Sequence, residues 1–501
     1  MIEFFQNIKD KYMMNLEFGK FSPEIKLGLV SASRNCFPRE LAKRRFDALA
    51  VELEKLGVKF FVPEGRYSVI EEKADASEAA RQMRSVGCDA AVLYLGNFSP
   101  EIEDAVFVRE FGGMSMLLAA AEESSGSLAQ SRGDALCGLV SASLAMSKRG
   151  LMKKIYIPQN PLVSAERGAE EIAKFARIAA VVKGVSTATI GLFGPRPRDF
   201  ESCNYNAASL SSIGVEVEEL GLFDLEEEIE RIKADGGAEV PADMCACGAV
   251  APDLLDRLSA YERALLNFRD SKNLAGAATQ CWSRQERRSG HVPCYVNARL
   301  TQSGFPVACE NDAYSLVAEL VCQYASDGAP TMLDINHTIP AEMLRGLEGV
   351  SAEDAVGLFH CGNVPPKYMR KPSVKHQVIM ARLMEAGKEP DITRGTLEGA
   401  ISASPITLFQ IHGFGDKLRA YVCEGEFLDI DPKTFGSVGV AHVQGFMRFY
   451  RNCILGRFHH HAAVAFTHCG GVIFEALKLL GVEEIYVPSK SLYAGENPFK
   501  Q

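Results

Sequence analysis

From Ile25 onward the chain alternates short apolar runs with longer stretches in which apolar positions recur every three or four residues. Ile25–Ala32 predicts a strand, Arg39–Leu56 an amphipathic helix, Lys59–Pro63 a strand, Glu71–Val86 a helix and Ala90–Leu95 a strand, a βαβαβ order. Gly112-Gly113 reads as a turn rather than a phosphate loop. A helix over Asp134–Met146, a strand at Lys153–Ile157 and a helix over Ala165–Val182 complete a first open α/β domain, residues 1–183. A second, residues 184–345, holds strands at Thr187–Phe193, Val215–Leu220, Cys294–Asn297, Pro306–Cys309 and Thr331–Ile335, with a loop signal at Gly194-Pro195-Arg196-Pro197-Arg198. Beyond these the texture turns to β-rich runs punctuated by glycine: Ala355–Phe359, Ile406–Ile411, Leu418–Glu424, Val438–Val443, Ala462–Phe466 and Glu484–Val487. The expected fold is therefore two open, Rossmann-like α/β domains followed by a mostly antiparallel, β-barrel-like C-terminal domain, residues 346–501.

Composition narrows the function. At roughly 150 residues per domain, 501 residues fit three domains. A net charge of −10 argues against nucleic acid as partner. No run approaches a membrane span, and the opening MIEFFQNIKDKYMMNLEF mixes charge into its apolar residues, unlike a signal peptide, so a cytoplasmic protein without membrane attachment is expected. The fourteen cysteines are scattered through strand-like and helix-like runs, as reduced thiols would be, and Cys245-Ala246-Cys247 lacks a second pair at zinc-site spacing. After the first strand, Gly28-Leu-Val-Ser-Ala-Ser has no dinucleotide fingerprint, so no organic cofactor is expected.

Candidate chemistry centres on Pro306-Val-Ala-Cys-Glu310-Asn-Asp312, a strand ending on a carboxylate. Tyr314, Val317, Leu320, Val321 and Tyr324 then fall at helical spacing, Asp327-Gly328-Ala329-Pro330 stops the helix, and a second strand carries Asp334. A right-handed strand–helix–strand crossover would leave Glu310 and Asp334 at the carboxyl edge of neighbouring parallel strands, about 4.8 Å apart. Two carboxylates so close share a cation, or one takes up a proton. The plainer alternative makes Glu310 a helix cap and Asp334 a turn carboxylate. Nine of the ten histidines lie from His337 onward and offer the nitrogen ligand. In Phe458-His459-His460-His461, strand alternation would send His459 and His461 to one side and His460 to the other. His360 is a second candidate, whereas His412 and His442 read as barrel residues.

Cys309-Glu310-Asn311-Asp312, Met332-Leu333-Asp334-Ile335 and His460-His461 together resemble the L-fucose isomerase and L-arabinose isomerase superfamily. Ser33-Arg34-Asn35-Cys36-Phe37-Pro38 resembles its first arginine-bearing loop. The resemblance implies a metal-dependent aldose–ketose isomerase (an intramolecular oxidoreductase) acting on a monosaccharide. It makes Glu310 and Asp334 metal ligands and the acid/base pair, His461 the third ligand, and Mn2+ the ion, with Mg2+ or Co2+ as alternatives. His360 matches a further arabinose-isomerase histidine, as a ligand or a substrate contact. It also implies a homo-oligomer, hexamer or trimer, whose sites are shared between chains. Candidate sugar contacts are Arg34, Gln280, Trp282, His360, His460 and Tyr368. The family's Cys-Glu-Gly-Asp reads Cys-Glu-Asn-Asp here, the chain is shorter than a typical fucose isomerase, and Trp282 is its single tryptophan.

The chemistry suits these residues: a hard divalent ion stabilises a cis-enediolate while one carboxylate moves the C2 proton and the other serves the oxygens. Two other classes remain open. One is another metal-dependent sugar enzyme, an epimerase or aldolase. The other is a non-catalytic sugar-binding protein, which would leave Glu310, Asp334 and His461 without a role.

Overall fold

The structure, a computed structural model, describes residues 21–488 except 131, 249, 283 and 380–390; the N-terminal stretch read against a signal peptide lies outside the described residues. The chain divides into two compact units, Met1–Ala180 and Val181–Gln501.

In the first unit, strands β1 (Leu27–Ala32), β2 (Phe60–Phe61), β3 (Val69–Ile70), β4 (Ala90–Leu95), β5 (Met114–Ala120), β6 (Ile155–Tyr156) and β7 (Leu162–Val163) form one parallel sheet. Its order is β2-β1-β4-β5-β6, with β3 also beside β1 and β7 beside β5. β1 and β4 are buried along their whole length, as strands covered on both faces must be. The helix Arg39–Lys55 turns Leu41, Ala42, Arg45, Phe46, Leu49 and Leu53 inward, the stripe its sequence predicts. β5 is absent from the sequence-based expectation because Met-Ser-Met-Leu-Leu-Ala-Ala has no β-branched residue; burial between β4 and β6 makes it a strand.

The second unit holds two sheets. β8 (Thr189–Phe193), β9 (Glu216–Leu220), β10 (Gly276–Thr279) and β11 (Val307–Ala308) pair in parallel, in the order β11-β10-β8-β9. The remaining strands are β12 (Thr331–Thr338), β13 (Ala355–His360), β14 (Met369–His376), β15 (Arg394–Ile401), β16 (Ser404–Phe414), β17 (Lys417–Phe427), β18 (Ser437–His442), β19 (His461–Ala465) and β20 (Glu484–Tyr486). Within this sheet β18-β13-β12-β19-β16-β17 pair antiparallel in sequence around a ring, and β17 returns to β18. The ring is a closed barrel, which leaves its six strands no open edge. β14, β15 and β20 extend it.

Two expectations need correction. Cys294–Asn297 opens a helix, Cys294–Gln302, in place of a strand; seven of its nine residues are buried, and a short apolar run has the same composition in either element. Glu310 and Asp334 do not end neighbouring parallel strands. β11 stays in the parallel sheet, and the buried helix Ala313–Ser326 delivers the chain to β12, which pairs antiparallel with β13 and β19 in the barrel. The helix stop is as expected, with Asp327 in the left-handed conformation after Ser326.

Among the described residues no helix is long and apolar enough to cross a membrane. All fourteen cysteines are free thiols.

Candidate active site

The two sheets of the second unit bring their chemistry together where β11 ends and β19 begins. After β11 the backbone turns through two consecutive left-handed residues, Glu310 (φ 59°) and Asn311 (φ 56°). Asparagine tolerates this conformation but glutamate does not, so the turn stores strain at Glu310. It is held on both sides: Asn311 N–H donates to the Thr279 carbonyl at 3.1 Å, and the Asn311 amide donates to the Gly194 carbonyl at 2.5 Å. Asn311→Ala removes that side-chain bond and leaves a poor left-handed residue, for an expected loss of about 2 kcal/mol; Asn311→Gly relieves the backbone and should lose less than about 1 kcal/mol. Denaturant unfolding of the two variants measures the difference.

Asp312 caps the helix Ala313–Ser326, accepting from Ser315 N–H at 3.0 Å and from Ser315 Oγ at 2.6 Å. The cap reading of Glu310 is thereby replaced. Asp334 lies within β12, directly opposite His461 of β19 on one side and Phe359 of β13 on the other. Asp334 and His461 are thus cross-strand neighbours, and His360 follows Phe359 at the end of β13.

His461 is fully buried and central. Its Nδ1 stands 2.7 Å from Asp312 Oδ2. Its Nε2 faces Glu310 Oε2 at 3.0 Å and Asp334 Oδ1 at 3.6 Å. The first approach is off the line of a hydrogen bond and the second is too long for one, so Nε2 and both carboxylate oxygens are buried without a hydrogen-bond partner. The other Glu310 oxygen, Oε1, accepts the Trp282 indole N–H at 3.0 Å. Gln410 completes the frame by donating to Ser315 Oγ and to the His461 carbonyl. Strand alternation is visible in the histidine run: His459 is almost covered, whereas His460 leaves 46% of its side chain exposed, with Nε2 4.0 Å from Asp334.

Electrostatics separates the two carboxylates. Burial favours the neutral form of Glu310, but the pull of His461, helped by Trp282 N–H, holds its pKa below the usual value. Burial pushes Asp334 up to about 7, His461 opposing the rise and Glu310 adding to it. Burial also disfavours a charged His461, yet Asp312, Cys203 and Glu310 outweigh it and raise the ring's pKa well above its ordinary value. His360, His459 and His460 are neutral, lowered chiefly by burial to about 4, 3 and 4. His360 Nδ1 accepts the Cys361 N–H at 2.9 Å, so in the neutral ring Nε2 carries the hydrogen, and it is buried without a partner.

Contacts therefore join Glu310, Asp334, His460, His461 and Trp282, and His360 is near enough to feel the charges of Glu310, His461 and His460. Gln280 follows β10, its N–H on the Phe193 carbonyl and its side-chain oxygen buried without a partner. Tyr368 stacks on Phe466 with ring centres 3.6 Å apart, a packing contact. Arg34 belongs to the first unit, where its guanidinium lies 4.0 Å from the centre of the Phe98 ring and donates to the Ser99 carbonyl. Asp312 and Gln410 are site residues that the sequence reading did not single out. The Asp312 spacing before an apolar helix signals a cap, and nothing in the sequence signals its second task on His461.

Buried, unpartnered oxygens facing an unpartnered ring nitrogen are a donor set for a divalent cation. The 3.0 Å between Glu310 Oε2 and His461 Nε2 matches adjacent ligands about 2.1 Å from one octahedral ion, and the 3.6 Å from His461 Nε2 to Asp334 Oδ1 is wider. Asp334, His460 and His461 also offer ligand atoms within 4.8 Å of one another.

Residues 28–186 match the family model described as the fucose/sulfoquinovose isomerase N-terminal domain, and residues 358–487 match the L-fucose isomerase C-terminal domain. The chain is also similar to a sulfoquinovose isomerase of Alkalicoccus urumqiensis, 23% identical over 278 residues, which are 54% of this chain and 58% of that protein. The chain thus spans less than two thirds of that relative's length. His360 and His461 fall inside the second family match, whereas Glu310 and Asp334 lie between the two.

Proposed function

Because the chain belongs to the fucose isomerase-like family, we propose that it is a metal-dependent aldose–ketose isomerase of a monosaccharide, working through a cis-enediolate. One observation carries the reading: Glu310 Oε2, from the turn after β11, and Asp334 Oδ1, from β12, both face His461 Nε2 of β19, and all three atoms are buried and without hydrogen-bond partners. A divalent ion held by these three residues, Mn2+ in this reading with Mg2+ or Co2+ as alternatives, supplies Lewis-acid stabilisation of the negative charge that develops on the sugar oxygens.

The chain's own groups do the rest. Glu310, ionised and fixed by Trp282, takes the proton from the carbon next to the carbonyl and returns it to the neighbouring carbon. Asp334, deprotonated when it holds the ion, takes a proton from one sugar oxygen and returns it to the other as carbonyl and hydroxyl trade places. His360, neutral and with a free Nε2–H, donates a hydrogen bond to the sugar; that hydrogen makes it a substrate contact rather than a ligand. Asp312 holds His461 so that Nε2 faces the carboxylates. The same reading includes a cytoplasmic homo-oligomer, hexamer or trimer.

The test is an isomerisation assay over L-fucose, L-arabinose, sulfoquinovose and unsubstituted aldohexoses, with the chelated protein and with each ion restored. Interconversion of at least one aldose with its ketose, abolished by EDTA and restored best by Mn2+, is expected. Undiminished turnover after chelation, or no turnover of any sugar by protein shown to bind Mn2+, contradicts the proposal.

A further inference from the structure

Cys203 ends a short 3-10 turn, Glu201–Cys203, in the segment between β8 and β9. It is buried, and its sulfur, one oxygen of Asp312 and one ring nitrogen of His461 all lie within 4.8 Å of one another. Neither carboxylate of the proposed catalytic pair belongs to this group. The thiol's remaining near neighbour is the Ser202 hydroxyl, at a long 3.8 Å. All three side chains are more than nine-tenths buried, and the His461 nitrogen beside Asp312 is Nδ1, 2.7 Å from Asp312 Oδ2.

The donor set is sulfur, imidazole nitrogen and one carboxylate oxygen. Hard ions such as Mn2+ and Mg2+ favour oxygen-rich sites, whereas sulfur with imidazole selects Zn2+ and its softer analogues. Zinc takes sulfur at about 2.3 Å and nitrogen or oxygen at about 2.0–2.2 Å, so atoms already this close need only small rotations to surround one ion. We propose that Cys203, Asp312 and His461 form a second cation site, for a thiophilic divalent ion such as Zn2+ or Cd2+, which competes with the Glu310–Asp334 site for His461.

The competition follows from the imidazole itself. A neutral ring has one lone-pair nitrogen and one N–H. When either nitrogen binds an ion, the other carries the hydrogen and cannot hold a second ion unless the ring loses a further proton. Binding at Cys203 releases the thiol proton to solvent, because the ligand is the thiolate. It also removes the Asp312 hydrogen bond that orients His461. The site's existence does not depend on the isomerase reading; only the consequence for Mn2+ does.

The experiment titrates metal-free, full-length protein with Cd2+ or Co2+ and follows thiolate-to-metal charge-transfer absorption. One equivalent per chain should produce the band in the wild type and in Asp334→Asn, and the band should be lost in Cys203→Ser and Cys203→Ala, each shown to be folded by its circular dichroism. In a parallel measurement without any sugar, Zn2+ should displace bound Mn2+, followed by its electron paramagnetic resonance, at a concentration at least tenfold lower in the wild type than in Cys203→Ser. A band that survives in both folded Cys203 variants, or a wild type that shows none at saturating Cd2+, overturns the proposal. A band without Mn2+ displacement overturns the competition. Failure of the isomerase reading would leave the Cd2+ band untouched and show itself in the sugar assay alone.

Discussion

Glu310→Gln should lower kcat by at least about 10^3-fold, within the range by which a positioned general base accelerates proton transfer. The substitution is nearly isosteric: the amide oxygen can still accept the Trp282 indole N–H that Oε1 accepts at 3.0 Å, so the strained turn and its surroundings are retained. What disappears is the negative charge and the basic oxygen facing His461 Nε2 at 3.0 Å. Two losses follow, the proton acceptor and one ion ligand, and they are separable. Saturating Mn2+ restores occupancy and should leave turnover low. Recovery to within tenfold of the wild type at saturating Mn2+ would make Glu310 a ligand only. Asp334→Asn should also fail, because it removes both an ion ligand and the carboxylate that passes a proton between the sugar oxygens; saturating Mn2+ should again leave turnover low.

Affinity for Mn2+ should rise steeply with pH. Without the ion, Asp334 is protonated below about 7, because its folded-state pKa is raised, and His461 is protonated well beyond its ordinary value. An ion bound by both must displace both protons. The sign is therefore fixed: the apparent association constant rises about 100-fold per pH unit below pH 7, where two protons are released. Above 7 it rises about 10-fold per unit, where His461 alone still gives one up. Calorimetric titration in buffers of different ionisation enthalpy counts these protons directly. His461→Ala should remove most of the affinity, and Asp312→Asn should lower it by about 10- to 100-fold through misorientation of the ring. His459→Ala and His460→Ala should change it far less. Equal affinity in all three histidine variants, or no proton release in the wild type, would remove His461 from the ligand set.

How far the sequence carries one toward this site depends on the element. β4, the helix Arg39–Lys55 and the strand opening at Ala462 were legible because their apolar periodicity agrees with their burial. The barrel was legible as glycine-punctuated β runs, but its closure through β17 and β18 rests on pairings between residues such as Glu426 and His442 that no local pattern announces. β10 was silent because Gly-Ala-Ala-Thr is strand only by virtue of its neighbours, although it carries the Thr279 carbonyl that holds Asn311. Glu310, Asp334 and the histidine run stood out as residues, while the route joining them was misread: a strand–helix–strand unit looks the same whether its second strand returns to the first sheet or enters another. Asp312 and Cys203 were hidden for a related reason. A helix cap and a buried thiol are ordinary features until the fold sets His461 between them.

Central to the account is a proton that leaves one sugar carbon, passes through Glu310 and arrives at the next. Isomerisation by the Mn2+-loaded protein in D2O, with the product analysed by nuclear magnetic resonance, tests it most directly. Glu310 Oε2 is buried, so its proton exchanges with solvent in only a fraction of turnovers, and over many cycles of the reversible reaction the account predicts deuterium accumulating at the carbon that receives the proton. No deuterium at that carbon after many such cycles would contradict the role assigned to Glu310.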